Sequence, residues 1–221
     1  PGIGPYIFNH HNTHTFNYDM QLLNDYCKKR NEIEATKQNF IIFHLYGQHA
    51  TYSERYPAEF AKFKACNIKS QLPLSKEQRS VVANYLNATR YNDFVVDSII
   101  SMFSNRDAIV MYFSDHGEEV YNYRLQQGRT DLKNDDLRAM HHQLDIPFLI
   151  YVSPRYAAKH PQVVKSISKS VNRPFMTDNL PQVIFNLLGV HTRYYNPSRS
   201  VINERYHPQN KRKLQVGKVY H

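Results

Sequence analysis

Residues 108–118 read AIVMYFSDHGE, an apolar run that leads directly into Asp115, His116 and Gly117. An apolar run of this length, rich in β-branched and aromatic side chains, predicts a fully buried β-strand. Open α/β sheets bind their ligands beyond the carboxyl ends of the strands. A carboxylate beside an imidazole at such a strand end is a ligand pair that suits Zn²⁺ or Mn²⁺. The alternative is that Asp115 caps a following helix and His116 is solvated in a loop.

The rest of the chain alternates between apolar runs of strand length and stretches with helical spacing. The predicted strands cover residues 40–45, 108–113 and 146–152, and the predicted helices cover residues 18–30, 75–104, 163–170 and 179–188. Ser75 and Gln78 match a capping box, and Gly189 fits a helix C-cap. Strands that alternate with helices predict an α/β fold whose predominantly parallel sheet is flanked by helices on both faces. Residues 118–143 read as a polar loop.

The composition is that of an ordinary globular domain. The chain has 221 residues, of which 41% are hydrophobic, enough to build one core. We therefore expect a single domain over residues 1–221, with a peripheral tail over residues 194–221. The chain contains neither an apolar stretch of membrane-spanning length nor a signal-peptide pattern. Because it begins with Pro1 rather than with an initiator Met, we expect it to be a soluble portion of a longer protein.

The chain is strongly basic, with a formal net charge of +9. This charge indicates an anionic partner such as nucleic acid, phospholipid headgroups or lipopolysaccharide. The basic residues are scattered and no nucleic-acid motif accompanies them, so we expect a membrane surface and no nucleic acid. The alternative is a solvated basic face that is compensated by an acidic segment elsewhere.

The two cysteines, Cys27 and Cys66, lie in segments that read as separate helices. The absence of a CxxC spacing argues against a structural zinc site and a redox motif. Two alternatives stay open. The cysteines pair in an oxidising compartment, or both are buried as small hydrophobic residues.

Histidines follow or interrupt the predicted strand over residues 40–45. His49 lies just past its end. If the strands are parallel, His49, Asp115 and His116 all lie at one edge of the sheet, which strengthens the prediction of a metal or phosphate site. His44 lies inside the apolar run, where a core histidine is the favoured interpretation and a ligand contact is the alternative.

Four segments, in order, resemble motifs of bacterial phosphoethanolamine transferases. Residues 43–57 read FHLYGQHATYSERYP and resemble the family segment H-x-x-G-S-H-x-x-Y-x-x-R-Y-P, with Gln48 in place of Ser. Residues 114–118 resemble its S-D-H-G-E segment, residues 146–153 its I-P-F strand, and residues 178–190 its D-N-L…L-L-G helix. This family belongs to the sulfatase and alkaline-phosphatase superfamily, so the resemblance implies the C-terminal part of a catalytic domain with that fold.

The resemblance implies a zinc-dependent catalytic domain in the periplasm, anchored to the bacterial inner membrane. Such enzymes move phosphoethanolamine from phosphatidylethanolamine to a lipopolysaccharide or glucan acceptor through a covalent threonine intermediate. It also implies that Asp115 and His116 are metal ligands and that His49 acts near the phosphoryl group. Glu118 and Glu119 are expected to orient neighbouring groups, or else to be acids at a helix start.

The chain departs from the family pattern before the first motif. The family's threonine nucleophile and its first acidic ligand lie upstream of the segment that resembles residues 43–57, and nothing here matches them, so we expect no nucleophile in this chain. Many relatives also supply a histidine from the loop before the next strand. His141 and His142 are candidates for that role, and Arg129 is a competing phosphate contact. Together with His44 they are the candidate substrate-binding residues.

Two other functions stay open. A hydrolase of the same superfamily, a sulfatase or phosphodiesterase, would share the metal site and pass the group to water. A non-catalytic module that binds anionic glycolipid would account for the basic charge alone. The segments that resemble R-Y-P and D-N-L favour the transferase.

Overall fold

The computed structural model describes residues 18–34, 36–133 and 136–208, together with the backbone of two short strands near the C-terminus. The helices are α1 (Asp19–Ile33), α2 (Lys76–Phe103), α3 (Leu137–Leu144), α4 (Pro154–Lys159), α5 (Pro161–Ser170) and α6 (Leu180–Leu188). The strands are β1 (Ile109–Phe113), β2 (Glu119–Val120), β3 (Gln127–Gly128), β4 (Phe148–Val152), β5 (Arg212–Lys213) and β6 (Val219–Tyr220). Within the described ranges, no helix has both the length and the apolar character to cross a bilayer.

The four predicted helices are confirmed as α1, α2, α5 and α6. The capping box of α2 is reciprocal: the main-chain N–H of Ser75 donates to Gln78 Oε1 at 2.9 Å, and the N–H of Gln78 donates to Ser75 Oγ at 3.2 Å. Helix α6 ends at Gly189, whose φ of 62° lies in the left-handed region that glycine adopts without strain. Local signals therefore located these helices correctly.

Two short helices were not predicted. Helix α3 begins after Asp136, whose Oδ1 accepts from the N–H of Ala139 at 2.7 Å. Helix α4 begins after Ser153, whose Oγ accepts from the N–H of Tyr156 at 3.1 Å. Both are standard N-caps, but α3 has only eight residues, so it read as part of a polar loop.

The described sheets are small and antiparallel where their register is defined. Strands β1 and β4 pair antiparallel from Ile109 opposite Val152 to Phe113 opposite Phe148. Strands β2 and β3 form a second pair, and β5 and β6 form a third. The predominantly parallel sheet is therefore not confirmed by the described residues. Apolar runs predict that strands form, but the direction of pairing depends on the path of the chain between them.

The predicted strand over residues 40–45 is not formed. These residues belong to no helix or strand of the structure, and the side chains of Phe40 and Ile42 are 59% and 74% exposed. The run was predicted to be buried because it is apolar, but these two side chains are exposed. His44 is exposed as well, so the prediction of a core histidine is wrong.

The chain divides into two compact units, and the first comprises residues 1–99 and 120–128. Its core contains Tyr52, Ala88 and Val120, with tyrosines such as Tyr85 packed around them. A buried amide supports this core: Asn87 Oδ1 accepts from the N–H of Phe63 at 2.8 Å and its Nδ2 donates to the carbonyl of the same residue at 3.0 Å. Aromatic packing on α2 thus supports the segment that follows residues 40–45.

The second unit comprises residues 100–119 and 129–221. Its core contains Val183, Val201 and Ile202, with Met111 of β1 and Ile150 of β4 packed against it. Because Val201 and Ile202 lie within the predicted peripheral tail, that part of the tail is not peripheral. The extent of the domain as a whole, residues 1–221, stays a prediction.

Neither expectation for the cysteines is met. Cys27 and Cys66 form no disulfide bond in the structure, and both are exposed. They are therefore neither paired in a disulfide bond nor buried as small hydrophobic residues.

Candidate functional site

Asp115 and His116 converge just beyond the end of β1. The carboxylate Oδ2 of Asp115 lies 3.6 Å from Nε2 of His116, and the Asp115 side chain is 87% exposed. The main-chain N–H of His116 donates to Asp115 Oδ1 at 3.1 Å, and Ser114 Oγ donates to the carbonyl of His116 at 2.8 Å. Local hydrogen bonds thus hold a carboxylate and an imidazole side by side at the strand end.

The spacing of this pair, and the tautomer that His116 adopts when neutral, fit a metal ion. Two ligand atoms held about 2.0–2.1 Å from a tetrahedral zinc ion lie about 3.4 Å apart, close to the observed 3.6 Å. Nδ1 of His116 lies 2.8 Å from the carbonyl of Gly117. Because a carbonyl only accepts, this bond places the proton on Nδ1 and leaves the Nε2 lone pair available to a metal.

Gly117 is needed for space. A Cβ at this position would lie 2.4 Å from the carbonyl oxygen of His142 and 3.0 Å from that of Asp145. The N–H of Gly117 also donates to the carbonyl of Gln143 at 3.0 Å. The residue after the ligand pair is therefore docked against the C-terminal end of α3.

A buried polar network lies beneath the same segment. The Nε2 of Gln143 donates to Glu119 Oε2 and to Thr130 Oγ1, both at 2.8 Å. Gln143 Oε1 accepts from the main-chain N–H of Thr130 at 2.9 Å, and Glu119 and Gln143 are both almost fully buried. The network therefore ties the Asp115–Glu119 segment to α3 and to the loop around Thr130, and Gln143 is a residue that sequence reasoning missed.

The other site residues that the sequence predicted in the second unit differ in position, pairing and burial. His141 and His142 lie in the last turn of α3, so their predicted loop position is wrong. His141 Nδ1 pairs with Asp145 Oδ2 at 2.8 Å, which satisfies that nitrogen locally. His142 and Glu118 are half-buried, and Arg129 is exposed.

The first unit presents His49 on a tight turn. The N–H of His49 donates to the carbonyl of Tyr46 at 3.0 Å, and Gly47 within this turn has a φ of 54°. Nδ1 of His49 lies 2.6 Å from the carbonyl of Ala50, so its proton is on Nδ1 and Nε2 carries the lone pair. The His49 side chain is exposed. His49 and His116 therefore share one arrangement, in which a backbone carbonyl fixes the tautomer.

Two charged residues brace this turn. The carboxylate of Asp19, in the first turn of α1, accepts from the N–H groups of Tyr46 and Gly47, both at 2.9 Å. Burial raises the pKa of Asp19, and the two backbone hydrogen bonds oppose that shift. Arg55 Nε donates to the carbonyl of His49 at 3.0 Å. Sequence reasoning did not identify Asp19, which is 27 residues from its nearest partner.

Asp115 and His116 alone do not make a complete metal site, because a zinc ion in a protein has at least three protein ligands. Across the described ranges, no group of three or more His, Cys, Asp or Glu side chains is placed to hold a metal ion. The 3.6 Å distance between Asp115 Oδ2 and His116 Nε2 fits two ligands of a shared ion.

The sequence profile of the sulfatase family matches residues 5–190. The chain belongs to the sulfatase family. Within the family, the chain is 34% identical over 191 residues to phosphoethanolamine transferase EptC of Escherichia coli (strain K12), covering 86% of this chain and 32% of EptC. It is 32% identical over 175 residues to phosphoethanolamine transferase CptA of Salmonella typhimurium (strain LT2), covering 78% of this chain and 29% of CptA. The predicted resemblance is therefore confirmed.

A solved member of the sulfatase family shares this fold. The C-terminal periplasmic domain of EcEptC from Escherichia coli, in complex with Zn, superimposes with a TM-score of 0.78 at 32% identity, covering 93% of this chain and 56% of that domain. The likeness supports the predicted α/β class. The chain spans just over half of this solved domain, and about a third of the curated relatives that it matches.

Proposed function

We propose that this chain forms part of a phosphoethanolamine transferase. The observation that carries the proposal is the Asp115–His116 pair, held 3.6 Å apart at the strand end where the family motif S-D-H-G-E falls. The named activity of the relatives supports it. The donor is phosphatidylethanolamine, and the acceptor is a lipopolysaccharide or another anionic glycan.

The proposed metal is Zn²⁺, with Mn²⁺ as the alternative. Asp115 and His116 would hold it, since Asp115 Oδ2 and His116 Nε2 lie 3.6 Å apart, a distance that fits two ligands of one ion. A bound divalent cation lowers the pKa of an attacking hydroxyl and neutralises charge on phosphoryl oxygens. The zinc complex of the EcEptC domain supports this assignment. Further ligands would have to come from outside the described residues, because no third donor there joins the pair.

The group would be transferred in two steps, with the nucleophile outside this chain. A threonine oxygen bonds to phosphorus as the bond from phosphorus to the diacylglycerol oxygen breaks. An acceptor oxygen then bonds to phosphorus, and the threonine is released. We propose that His49, with its Nε2 lone pair and fixed tautomer, is the catalytic residue of this chain at the phosphoryl group.

The remaining candidates have supporting roles in this proposal. His44, Arg129, His141 and His142 are the proposed substrate-binding residues, with His141 the weakest because Asp145 already occupies its Nδ1. Glu119 orients the ligand segment through Gln143, and Glu118 is proposed to help. These assignments rest on the family motif and on the position of each residue.

The proposed location is the periplasmic face of the bacterial inner membrane. The net charge of +9 favours a surface rich in anionic headgroups. This setting would bring the domain close to a lipid donor and to an anionic glycolipid acceptor.

The decisive assay supplies the full-length protein with phosphatidylethanolamine vesicles and purified lipopolysaccharide, and measures the acceptor by mass spectrometry. We expect the mass of one phosphoethanolamine group to be added, and a chelator or Asp115→Asn to abolish the addition. Asp107→Asn is the matched control, because Asp107 lies before β1 and pairs with Lys159 at 2.5 Å. Release of free phosphoethanolamine without acceptor modification would favour a hydrolase, and absence of turnover would favour a binding module.

A further inference from the structure

We propose that Asp19 is a positioning residue for His49. The inference rests on the proposed function, in which His49 acts at the phosphoryl group. It adds a residue from a segment that none of the motifs includes. Asp19 does not touch the reacting atoms; it acts through the turn that carries His49.

The carboxylate of Asp19 is directed at a backbone site far away in sequence. It is 7% exposed and accepts from two successive N–H groups, those of Tyr46 and Gly47, each at 2.9 Å. Two successive N–H groups in a turn form a small concave site that binds anions. Gly47, at a φ of 54°, gives the turn a conformation that few other residues adopt without strain.

The location of Asp19 in α1 favours this arrangement. Asp19 is the first residue of α1, where the helix dipole stabilises a negative charge. Coulombic interactions with Arg55 and His44, the other charged or titratable groups that act on Asp19, also lower its pKa. These interactions offset only part of the cost of burying the carboxylate, because burial still raises the pKa of Asp19. Burying the Asp19 carboxylate therefore costs free energy, which favours a role for this residue in holding the turn.

Asp19 and Arg55 fix the turn at its two ends. Asp19 binds the N–H groups at the start of the turn, and Arg55 Nε donates to the carbonyl of His49 at its end, at 3.0 Å. The turn itself is closed by the hydrogen bond from the N–H of His49 to Tyr46. With the backbone held on both sides and Nδ1 bonded to Ala50, the direction of His49 Nε2 is set. Positioning of this kind contributes strongly to catalysis.

The test compares Asp19→Asn with the charge-matched control Asp25→Asn in the full-length protein. Asp25 lies on the same helix and pairs with Lys28 at 3.7 Å. In Asp19→Asn, one of the two N–H groups would face an amide NH₂ donor instead of an acceptor. We expect kcat for phosphoethanolamine transfer to fall about 10- to 100-fold with KM for the donor unchanged within about twofold. Asp25→Asn should keep wild-type kinetics.

A spectroscopic measurement separates positioning from a general loss of stability. In ¹H–¹⁵N spectra, the Gly47 amide should exchange with solvent about tenfold faster in Asp19→Asn, and the ring nitrogens of His49 should shift, while amides in the second half of α1 do not change. Asp19→Glu restores a carboxylate and should recover part of kcat and of the Gly47 protection. If Asp19→Asn does not fold, Asp19→Glu against wild type supplies the same comparison.

The experiments distinguish failure of the proposed function from failure of the inference about Asp19. Wild-type protein without transferase activity would refute the proposed function, and this inference with it. Active wild type with Asp19→Asn within twofold in kcat would overturn the inference alone. A fall in kcat accompanied by uniform loss of amide protection along α1 would also overturn it, because that pattern marks a purely structural residue.

Discussion

Replacing Gln143 with Leu should loosen the whole Asp115–Glu119 segment. The substitution preserves most of the buried volume but removes the hydrogen bonds from Gln143 to Glu119 Oε2 and Thr130 Oγ1, and the one from the Thr130 N–H. Each buried polar group that loses its hydrogen bond costs about 1–3 kcal/mol. Because Thr130 is only partly buried and water can compensate there, we expect a total of about 3 kcal/mol, at the lower end of the combined range of about 3–9 kcal/mol.

The appropriate assay is site-specific amide hydrogen exchange. The N–H groups of Gly117 and Thr130 both donate to Gln143, one to its backbone and one to its side chain. A loss of about 3 kcal/mol in the local opening free energy corresponds to exchange that is about a hundredfold faster. Met140→Leu is the matched control, since Met140 is buried on the same helix and a volume-conserving swap costs less than about 1.5 kcal/mol.

Unchanged exchange at the amides of both Gly117 and Thr130 would contradict this prediction. Such a result would mean that the network around Gln143 does not hold the ligand segment to α3. Faster exchange at Thr130 alone would show that the side-chain bonds matter only for the loop, and that Gly117 is held by backbone packing.

Three further predictions follow from the same structure. Gly117→Ala should destabilise the second unit by about 2–4 kcal/mol in urea unfolding, because its Cβ would meet the backbone of α3 at 2.4 Å; wild-type stability would contradict this. Gly47→Ala and Gly189→Ala should each cost about 1 kcal/mol because both residues have a positive φ, but only Gly47→Ala should lower kcat, and equal kinetics would argue against a role for the turn. Burial raises the pKa of Asp19 above 3.8, so protonation of this carboxyl favours the folded state. This stabilisation is fully present below pH 3.8 and is lost as the pH rises through the raised pKa. Asp19→Asn should therefore remove that decline from the pH profile of stability, and an unchanged profile would contradict the assignment.

The parts of the fold that depend on local signals were predictable. The capping box of Ser75 and Gln78 and the C-cap at Gly189 involve residues that are close in sequence, and both are present. The position of Asp115 and His116 after an apolar strand was predictable for the same reason. Both residues directly follow the strand in sequence, so both lie at its C-terminal end.

Interactions between distant residues were not predictable. The bond from Gln143 to Glu119 spans 24 residues, and the bond from Gly47 to Asp19 spans 28. No spacing rule connects such partners. Gly117 is needed because α3 packs where its Cβ would be, and this contact also joins residues that are distant in sequence.

The sequence pattern also did not predict the direction in which the strands pair. The apolar runs predicted β1 and β4 correctly, but their antiparallel register depends on the path through α3. A strand was predicted over residues 40–45 because Phe40 and Ile42 are apolar, yet both are exposed. Hydrophobicity indicates that a segment tends to be buried, and a partner strand is needed before the segment becomes part of a sheet.

The zinc content of the purified full-length protein, determined by elemental analysis, would show whether Asp115 and His116 bind the metal ion. Wild type is compared with the double variant Asp115→Ala/His116→Ala and with the control Asp107→Asn. We expect near-stoichiometric zinc in wild type and in the control, and none in the double variant, because it lacks two ligands of the ion. Zinc retained by the double variant, or absent from wild type, would contradict the assignment of Asp115 and His116 as the metal ligands of this chain.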